Sequence, residues 1–381
     1  MNKNGNKRVV VFCSDYITCL GLVRCLGEAG YRPECYYYGR DEYILRSRYI
    51  SNGRLFPTID EAFDFLLNSY PVYEERPILL TIPDPPAFYI DMHKDALERK
   101  FVLMSAGKQG GIVFWMDKTN IGNLAKKHGL NVPWTIRLSK DENIPENIEY
   151  PVFTKSIKSA DGGKCDESIC YSRNELVEKQ KSILGDDFIV MKYVKKKKEI
   201  NYFGLSVKGH VYVDFCDSRS RFPVGGYGHY NEFHIAERDA TYQKIISMMK
   251  ETGYEGLFDV EFLLGDDGAL YFMEVNFRVD GVVYKLCEGI NYPAEWCRLS
   301  TCSDDELPEK LSIKKKRFTG MTEIEDYRAS VLTGQVSKIK WWWQFFTVDR
   351  RMLVNIRDPK PAWPWLKGAV KRKISKVFKR I

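Results

Sequence analysis

The sequence predicts an α/β fold class with an α+β second part, and three features of its 381 residues lead to this prediction. Residues 8–13, 17–29 and 31–38 read as a buried strand, an amphipathic helix and a second strand, which is a βαβ opening. Residues 151–278 then alternate strand-like segments with turns and two helical segments. After about residue 330 the composition changes to a basic and aromatic tail.

These features predict three parts of the chain. We expect an N-terminal α/β domain over residues 1–116 and a second domain over residues 117–300. Within the second domain, residues at about 136–192 form a smaller subdomain, because a strand, a flexible loop, a return strand, a helix and another strand follow one another there. The remaining residues, 301–381, form a C-terminal extension that ends in an amphipathic helix at about 365–381.

Composition limits the classes of protein that fit. The hydrophobic content of 44% and the aromatic content of 14% are typical of a globular chain. No apolar run approaches the roughly 20 residues that a membrane-spanning helix needs, and the first apolar run is too short for a signal peptide. Ten cysteines without zinc spacing or a C-x-x-C pair indicate reduced thiols. We therefore expect a cytoplasmic protein.

The positive charge is concentrated at one end of the chain. The formal net charge is +7, but residues 331–381 contain 13 Lys and Arg against only Asp349 and Asp358. The remaining residues are therefore net acidic. This distribution argues against a general nucleic-acid-binding surface on the main body, and no nucleic acid is expected as a partner.

The most informative segment is residues 258–278, which predicts a strand, a Gly-Asp-Asp-Gly turn and a second strand. Glu274 and Asn276 are two positions apart and share one face of the second strand, and the hairpin brings Glu261 opposite them. Two carboxylates and an amide suit Mg²⁺, with Mn²⁺ as a substitute. The alternative is an amphipathic hairpin with a solvated acidic face.

Two lysines precede the hairpin in positions that favour anion binding. Lys118 begins a helix, and Lys155 lies inside an apolar strand, where a charge is costly unless an anion receives it. The phosphates of ATP would be that anion. The loop that follows, from Ser159 through Gly162 and Gly163, has the glycines that allow backbone N–H groups to approach phosphates closely.

In the order and spacing of these motifs, the chain resembles the ATP-grasp superfamily, and especially its carboxylate–amine ligases, including a subgroup of predicted ATP-dependent carboligases. The resemblance covers about residues 8–300 and implies an ATP-grasp fold with a Rossmann-like N-terminal domain. It rests on these segments: Asp117-Lys118, residues 150–155, Gly162-Gly163, residues 191–194, and Glu261 with Glu274-Val275-Asn276-Phe277-Arg278.

The resemblance also implies a role for each matching residue. The nucleotide would be held by Lys118, Lys155, Ser159, Gly162 and Gly163 at its phosphates, by Lys192, Tyr193 and Val194 at adenine, and by Glu199 at ribose. The metal ligands would be Glu261, Glu274 and Asn276. Arg278 and Arg221 would be catalytic residues that face the substrate carboxylate, because the planar guanidinium binds two oxygens at once.

The activity that the resemblance implies is an ATP- and Mg²⁺-dependent ligation. The γ-phosphoryl group would pass to a small-molecule carboxylate, and an amine would attack the acyl phosphate, which releases ADP and phosphate. A homodimer is a family-based expectation. Two alternatives stay open: a non-catalytic ATP-binding scaffold at a membrane, and a phosphotransferase that does not ligate.

The last segment, residues 365–381, has apolar residues at three- and four-residue steps and seven Lys and Arg between them. Such a basic amphipathic helix fits an anionic membrane surface, so we expect peripheral attachment at the inner face of the membrane. The substrates would then belong to cell-envelope or polysaccharide assembly. The alternatives are a helix docked on the protein body and an RNA-binding segment.

Overall fold

Five strands in the first part of the chain form a parallel sheet in the order β3-β2-β1-β4-β5. The computed structural model describes residues 7–157, 166–221 and 228–364. The strands of this sheet are β1 (Val9–Ser14), β2 (Glu34–Tyr38), β3 (Asn52–Phe56), β4 (Ile78–Ile82) and β5 (Val102–Leu103). The predicted Rossmann-like opening is therefore confirmed.

Helices pack on both faces of this sheet. They are α1 (Ile17–Glu28), α2 (Ile59–Ser69), α3 (Asp84–Met92), α4 (Lys94–Leu97) and α5 (Gly111–Trp115), together with a 3-10 turn at Ile44–Arg46. Every residue of α1 from Ile17 to Leu26 is buried, because later parts of the chain cover the side of the helix that faces away from the sheet. This enclosure explains why the helix is apolar around most of its circumference.

The cysteines differ from the sequence prediction at one place. Cys13 and Cys19 form a disulfide, whereas we expected reduced thiols throughout. The physical reason is local: Cys13 lies near the end of β1 and Cys19 in the first turn of α1, so the tight connection brings their Cα atoms to 6.2 Å.

A connecting segment leads to a second sheet. The short strand β6 (Ser105–Ala106) pairs with the start of a long strand at Tyr254, and α6 (Lys118–Lys127) follows. The second sheet is antiparallel, in the order β7-β10-β8-β9. Its elements are β7 (Thr135–Ser139), β8 (Val152–Ser156), β9 (Ser168–Cys170), α7 (Arg173–Lys181) and β10 (Asp187–Lys192).

The third and largest sheet holds the predicted carboxylate hairpin. Its strands run in the order β15-β14-β11-β12-β13-β16-β17. The elements of this part are β11 (Lys196–Val207), β12 (His210–Arg219), β13 (Tyr230–Ile235), α8 (Ala240–Thr252), β14 (Tyr254–Gly265), β15 (Leu270–Asn276), α9 (Val283–Leu286) and α10 (Tyr292–Leu299). Strands β14 and β15 pair antiparallel, which confirms the hairpin.

The C-terminal extension contributes two strands to this sheet, and the sequence prediction missed both of them. They are β16 (Arg317–Met321), which pairs with β13, and β17 (Arg350–Arg351), which pairs with β16. The remaining elements are 3-10 turns at Asp304–Glu306 and Lys360–Ala362, α11 (Glu323–Asp326), a π-helical turn at Tyr327–Val331 and α12 (Lys338–Thr347). The predicted helix at 365–381 lies outside the described residues.

The extension is anchored to the first domain through buried polar contacts. The guanidinium of Arg24, on α1, donates to a carboxylate oxygen of Asp358 at 3.0 Å and to its main-chain oxygen at 2.8 Å. Within the extension itself, the carboxylate of Glu323 accepts from the backbone N–H groups of Met352, Leu353 and Val354. Across the described part of the chain, no helix combines the length and the apolar character that crossing a bilayer requires.

Candidate active site

A row of polar side chains crosses four neighbouring strands of the third sheet. Glu274 of β15 lies opposite Glu261 of β14, and Glu261 lies opposite Asn201 of β11. Asn201 in turn lies opposite Asp217 of β12. Directly opposed residues project from the same face of a sheet. The hairpin carboxylates therefore belong to a continuous polar face and not to an isolated acidic edge.

The predicted metal ligands lie together at one end of this face. The Asn276 side-chain amide donates to Glu261 at 2.9 Å and to Asp259 at 3.1 Å. Asp259 is fully buried, and it pairs with Asn276 across the hairpin. The structure thus brings Glu261, Glu274 and Asn276 together and adds Asp259, which the sequence analysis did not single out.

Both predicted phosphate lysines reach the same carboxylate from different parts of the fold. The Lys118 ammonium nitrogen lies 3.8 Å from an oxygen of Glu274, and the Lys155 nitrogen lies 4.0 Å from the same oxygen. Lys118 is the first residue of α6, a helix start that Asp117 fixes by accepting from the backbone N–H of Thr119. Lys155 projects from β8 of the second sheet. Glu274 therefore lies where the two sheets and α6 meet.

Burial and the neighbouring charges shift the pKa values of residues in this cluster. Burial acts to raise the pKa of Glu274, but Lys118 and Lys155 outweigh it and hold that pKa below its ordinary value. Burial, and then the Glu274 carboxylate, raise the pKa of Glu261. Burial lowers the pKa of Lys155 to about 8, against the pull of Glu274. Clustered carboxylates and lysines with shifted pKa values are typical of functional sites.

The donor set fits a hard divalent cation. Two carboxylates and one amide, with Asp259 behind them, offer the oxygen ligands that Mg²⁺ takes. Burial, followed by neighbouring carboxylates, raises the pKa of Glu261 and of Asp259. A bound cation would favour the charged form of both carboxylates.

Arg278 extends from the end of the hairpin into a cluster of aspartates. Its guanidinium contacts Asp84 at 2.6 Å, Asp259 at 3.0 Å and Asp280 at 3.4 Å. Asp84 begins α3, immediately beyond the carboxyl end of β4, so this contact joins the first domain to the hairpin. The carboxyl ends of parallel strands are the usual ligand-facing edge of such a sheet, which is the signal that could have identified Asp84.

Glu199 is buried beside the polar face and has partners within the protein. Its carboxylate accepts from Lys196 at 2.6 Å and from the backbone N–H of Gly228 at 3.2 Å, and Arg219 lies 3.8 Å away. Arg219 donates to the buried Asp217 at 2.8 Å. The sequence analysis missed Arg219 and Asp217, which are two positions apart on β12 and therefore share one face of the strand.

At the strand end proposed for adenine, some backbone groups already make hydrogen bonds within the protein. The backbone N–H of Lys192 donates to Trp134, and that of Tyr193 donates to Pro151. The Lys192 side chain is exposed, with its ammonium group 3.2 Å from the Tyr271 hydroxyl. Val194 is buried at the start of the connection to β11.

The structure places Arg221 against the extension and not beside Arg278. Its guanidinium makes two hydrogen bonds to Asp326, at 3.1 and 2.7 Å, and a third to Gln344 at 2.6 Å. The ring of Tyr230 lies beneath it, 4.2 Å from ring centre to guanidinium carbon. Three residues predicted to contact the nucleotide lie outside the described residues: Ser159, Gly162 and Gly163.

Comparisons with known proteins agree on the fold. No family model matches the sequence. Over 201 residues, the chain is 25% identical to the 2-oxoglutarate carboxylase small subunit of Hydrogenobacter thermophilus, which covers 43% of this chain. The match spans 38% of that subunit, so well under half of the relative is represented here.

Solved structures resemble most of the chain. The L-amino acid ligase of Bacillus licheniformis matches with a TM-score of 0.62 at 15% identity, covering 79% of this chain and 76% of that one. N5-carboxyaminoimidazole synthetase of Staphylococcus aureus matches with a TM-score of 0.64 at 15% identity, covering 86% of each chain.

The biotin carboxylase domain of the Hydrogenobacter thermophilus enzyme, crystallised as a dimer with MgADP, ADP and bicarbonate, matches with a TM-score of 0.62 at 18% identity. It covers 81% of this chain and 73% of that one. The chain therefore has the ATP-grasp fold, with a parallel Rossmann-like sheet at its N-terminus and two antiparallel sheets that follow. The resemblance deduced from the motifs is confirmed at the level of the fold.

Proposed function

We propose that this protein is an ATP-dependent ligase that activates a carboxylate as an acyl phosphate and joins it to an amine, releasing ADP and phosphate. The observation that carries the proposal is the meeting of Lys118, Lys155 and Glu274 between the two antiparallel sheets. The three residues come from a helix start, from the second sheet and from the hairpin. Such a convergence of charges is what a nucleotide phosphate and its metal ion need.

The distances within this cluster place both lysines beside the proposed metal ligand Glu274. The Lys118 and Lys155 ammonium groups lie 3.8 and 4.0 Å from the nearest Glu274 oxygen, which is within reach of Coulomb attraction. Lys118 also donates to the carbonyl oxygen of Ile157 at 3.4 Å. Lys118 and Lys155 would turn to the phosphates. Glu261, Glu274 and Asn276 would hold Mg²⁺, which supplies positive charge at the transferring phosphoryl group.

The remaining nucleotide contacts are proposed from the resemblance. Because the N–H groups of Lys192 and Tyr193 are used within the protein, their contribution at adenine would come from carbonyl oxygens, together with Val194. The Glu199 carboxylate would accept hydrogen bonds from the ribose hydroxyls in place of those from Lys196 or Gly228. Ser159, Gly162 and Gly163 would cover the phosphates.

Arg278 is proposed to bind the substrate carboxylate. Three aspartates surround it, so it sits in a strongly negative environment that a substrate anion would enter only by replacing one of them. Asp84 is the candidate to give way, because it comes from the other domain. Arg221 is proposed for the same role only in a state in which it has exchanged Asp326 for substrate.

A second candidate function is ATP-dependent carboxylation, in which bicarbonate is the acid. Its support is the similarity to the small subunit of a 2-oxoglutarate carboxylase and to a biotin carboxylase domain crystallised with bicarbonate. Both functions use the same phosphoryl transfer to a carboxylate oxygen. They differ in the acid and in the acceptor.

The test is an ADP-release screen of the full chain with paired acids and amines, with bicarbonate as a separate arm. The proposal expects release of ADP and phosphate that needs both an acid and an amine. Release with bicarbonate alone would favour carboxylation. Formation of AMP and pyrophosphate would reject the acyl-phosphate route, and phosphorylated acid without an amide product would indicate a phosphotransferase.

Three expectations about partners and location remain proposals. A homodimer is supported by the dimeric state of the structurally similar biotin carboxylase domain. A cytoplasmic location at the inner face of a membrane is supported by the basic composition of residues 365–381. A role in envelope polymer assembly depends on that location alone.

A further inference from the structure

Helix α12 presents four large apolar side chains to solvent on one face. Ile339 is 85% exposed, Trp342 50%, Trp343 65% and Phe346 72%. Their spacing of three, four and seven residues places them on a single stripe of the helix. We call these four residues the aromatic face. Isolated exposed apolar residues are ordinary, but a contiguous patch on a rigid helix marks an interaction surface.

The exposure is concentrated in this part of the chain. Fifteen large hydrophobic residues among those described are exposed, and eight of them fall within residues 332–363. Besides the aromatic face, these are Leu332, Val354, Ile356 and Trp363. Residues 332–363 are therefore the part of the described chain where exposed apolar side chains are most concentrated.

The opposite side of α12 is fixed to the protein. Trp341 is buried, and its indole N–H donates to Asp326 at 2.8 Å. Gln344 accepts from Arg221 at 2.6 Å, and Phe345 stacks on Trp341. The aromatic face therefore belongs to a helix that is held in place from behind.

The ionisable residues of α12 itself are all basic. Lys338 and Lys340 are exposed, and α12 contains no acidic residue. The two aspartates that follow are already occupied within the protein: Asp349 bonds Thr319, and Asp358 bonds Arg24. The sequence of residues 365–381 then adds seven Lys and Arg and no acid.

We propose that the aromatic face of α12 is a docking surface for an anionic phospholipid membrane. Tryptophan and phenylalanine on an apolar stripe, with lysines beside it, match the interfacial region of a bilayer, where aromatic rings settle at the headgroup level and basic residues meet anionic lipid. This inference goes beyond the ligase proposal and does not depend on it. Charge complementarity favours an anionic lipid over a second copy of this chain, whose corresponding surface is equally basic.

The test is flotation of the full chain with vesicles of phosphatidylcholine alone or of phosphatidylcholine with phosphatidylglycerol. The variant Trp343→Ser/Phe346→Ser removes two exposed rings without touching Trp341, and Ile339→Glu is a second, independent change. The matched control is Tyr171→Ser/Leu184→Ser, which removes two residues of similar exposure near α7.

We expect the wild type and the control to float with the anionic vesicles. Each face variant should lose about tenfold or more of the apparent affinity, since buried apolar area sets interfacial binding. Quenching of tryptophan fluorescence by brominated lipid should fall with it. Equal flotation of face variants and wild type would overturn the proposal, as would no flotation at all. Self-association that depends on this face, without vesicle binding, would assign it instead to a second copy.

Discussion

Two charge clusters of this protein differ in exposure and in the lengths of their ionic contacts. Under the extension, the Arg24 guanidinium bonds the Asp358 carboxylate at 3.0 Å and three main-chain oxygens. Asp358 also accepts from Ser47 and from the backbone of Arg48, both at 2.9 Å. Between the two antiparallel sheets, Glu274 lies 3.8 and 4.0 Å from Lys118 and Lys155.

The difference separates a structural pair from a binding site. The Arg24 pair is almost fully enclosed and its polar atoms have short hydrogen bonds, which is the condition under which a buried ion pair is tolerated. The Glu274 cluster is more exposed, with the Glu274 side chain 20% accessible, and its lysine contacts are longer. Burial also lowers the pKa of Lys155 and raises that of Glu261. These features are typical of a binding site, and the ligand that we propose is a magnesium nucleotide.

The largest expected effect is that of Glu274→Ala on turnover. Loss of a metal ligand at the transferring phosphoryl group should lower ATP-dependent ADP formation on the order of 10³-fold, since such charge stabilisation contributes several kcal/mol. The unfolding midpoint in denaturant should change little, because the Glu274 side chain is 20% exposed and its ionic contacts with Lys118 and Lys155 are 3.8 and 4.0 Å long. The matched control is Glu295→Gln, an acid paired with Arg298 on α10. Undiminished turnover by a folded Glu274→Ala protein would contradict the metal assignment.

Arg24→Met tests the buried structural pair of the comparison and should reduce stability, not turnover. It leaves the buried Asp358 without its cation, which costs about 3 kcal/mol in the free energy of unfolding. The steady-state constants for ATP, measured where the variant remains folded, should be close to those of the wild type. Arg137→Met, which breaks an exposed pair with Asp187, should cost less than about 1 kcal/mol. Similar losses for the two variants would refute the structural role.

Lys155→Met should reduce kcat/KM for ATP by about 10²-fold, in line with the loss of one electrostatic contact to the transferring group. The control is Lys140→Met, since Lys140 belongs to the same part of the fold and donates to the carbonyl of Ile183 at 2.8 Å. Steady-state kinetics at saturating acid and amine measure both. An equal decrease in the two variants would mean that the effect of Lys155 is structural.

The smallest predicted effect is a pH dependence. Burial lowers the pKa of Lys155 to about 8, so its ammonium form predominates below that pH and is lost as pH rises above it. The profile of kcat/KM for ATP, which reports the free enzyme, should therefore decline above about pH 8. Lys155→Arg keeps its charge at higher pH and should remove this decline. A wild-type profile that stays level to pH 10 would be inconsistent with the assignment.

The hairpin and the shared face of its polar residues were predictable, because alternation along a strand determines which residues share a face. Glu261, Glu274 and Asn276 met as expected, and Lys118 and Lys155 converged on them. The alternation along each strand can be read from neighbouring residues. The βαβ opening was predictable for the same reason, from the pattern of residues 8–38.

Contacts between distant segments were not predictable in the same way. The contact of Arg221 with Asp326, 105 residues further along, could not be read from the sequence around either residue. Strand β16 has five residues with Arg and Gly among them, and its pairing is with β13 and β17. Arg278 donates to Asp84 beyond the end of β4; the strand-end position could have identified Asp84, but no local pattern encodes its pairing with Arg278.

The central claim is that Lys118, Lys155 and the hairpin carboxylates that face them bind a magnesium nucleotide. Calorimetry with a non-hydrolysable ATP analogue tests this claim most directly. The account predicts that the wild type binds with Mg²⁺ and binds at least tenfold more weakly in EDTA. Glu274→Ala should lose that metal dependence, and Glu295→Gln should keep it. Binding that is equally strong with and without Mg²⁺, or unchanged in Glu274→Ala, would contradict the account.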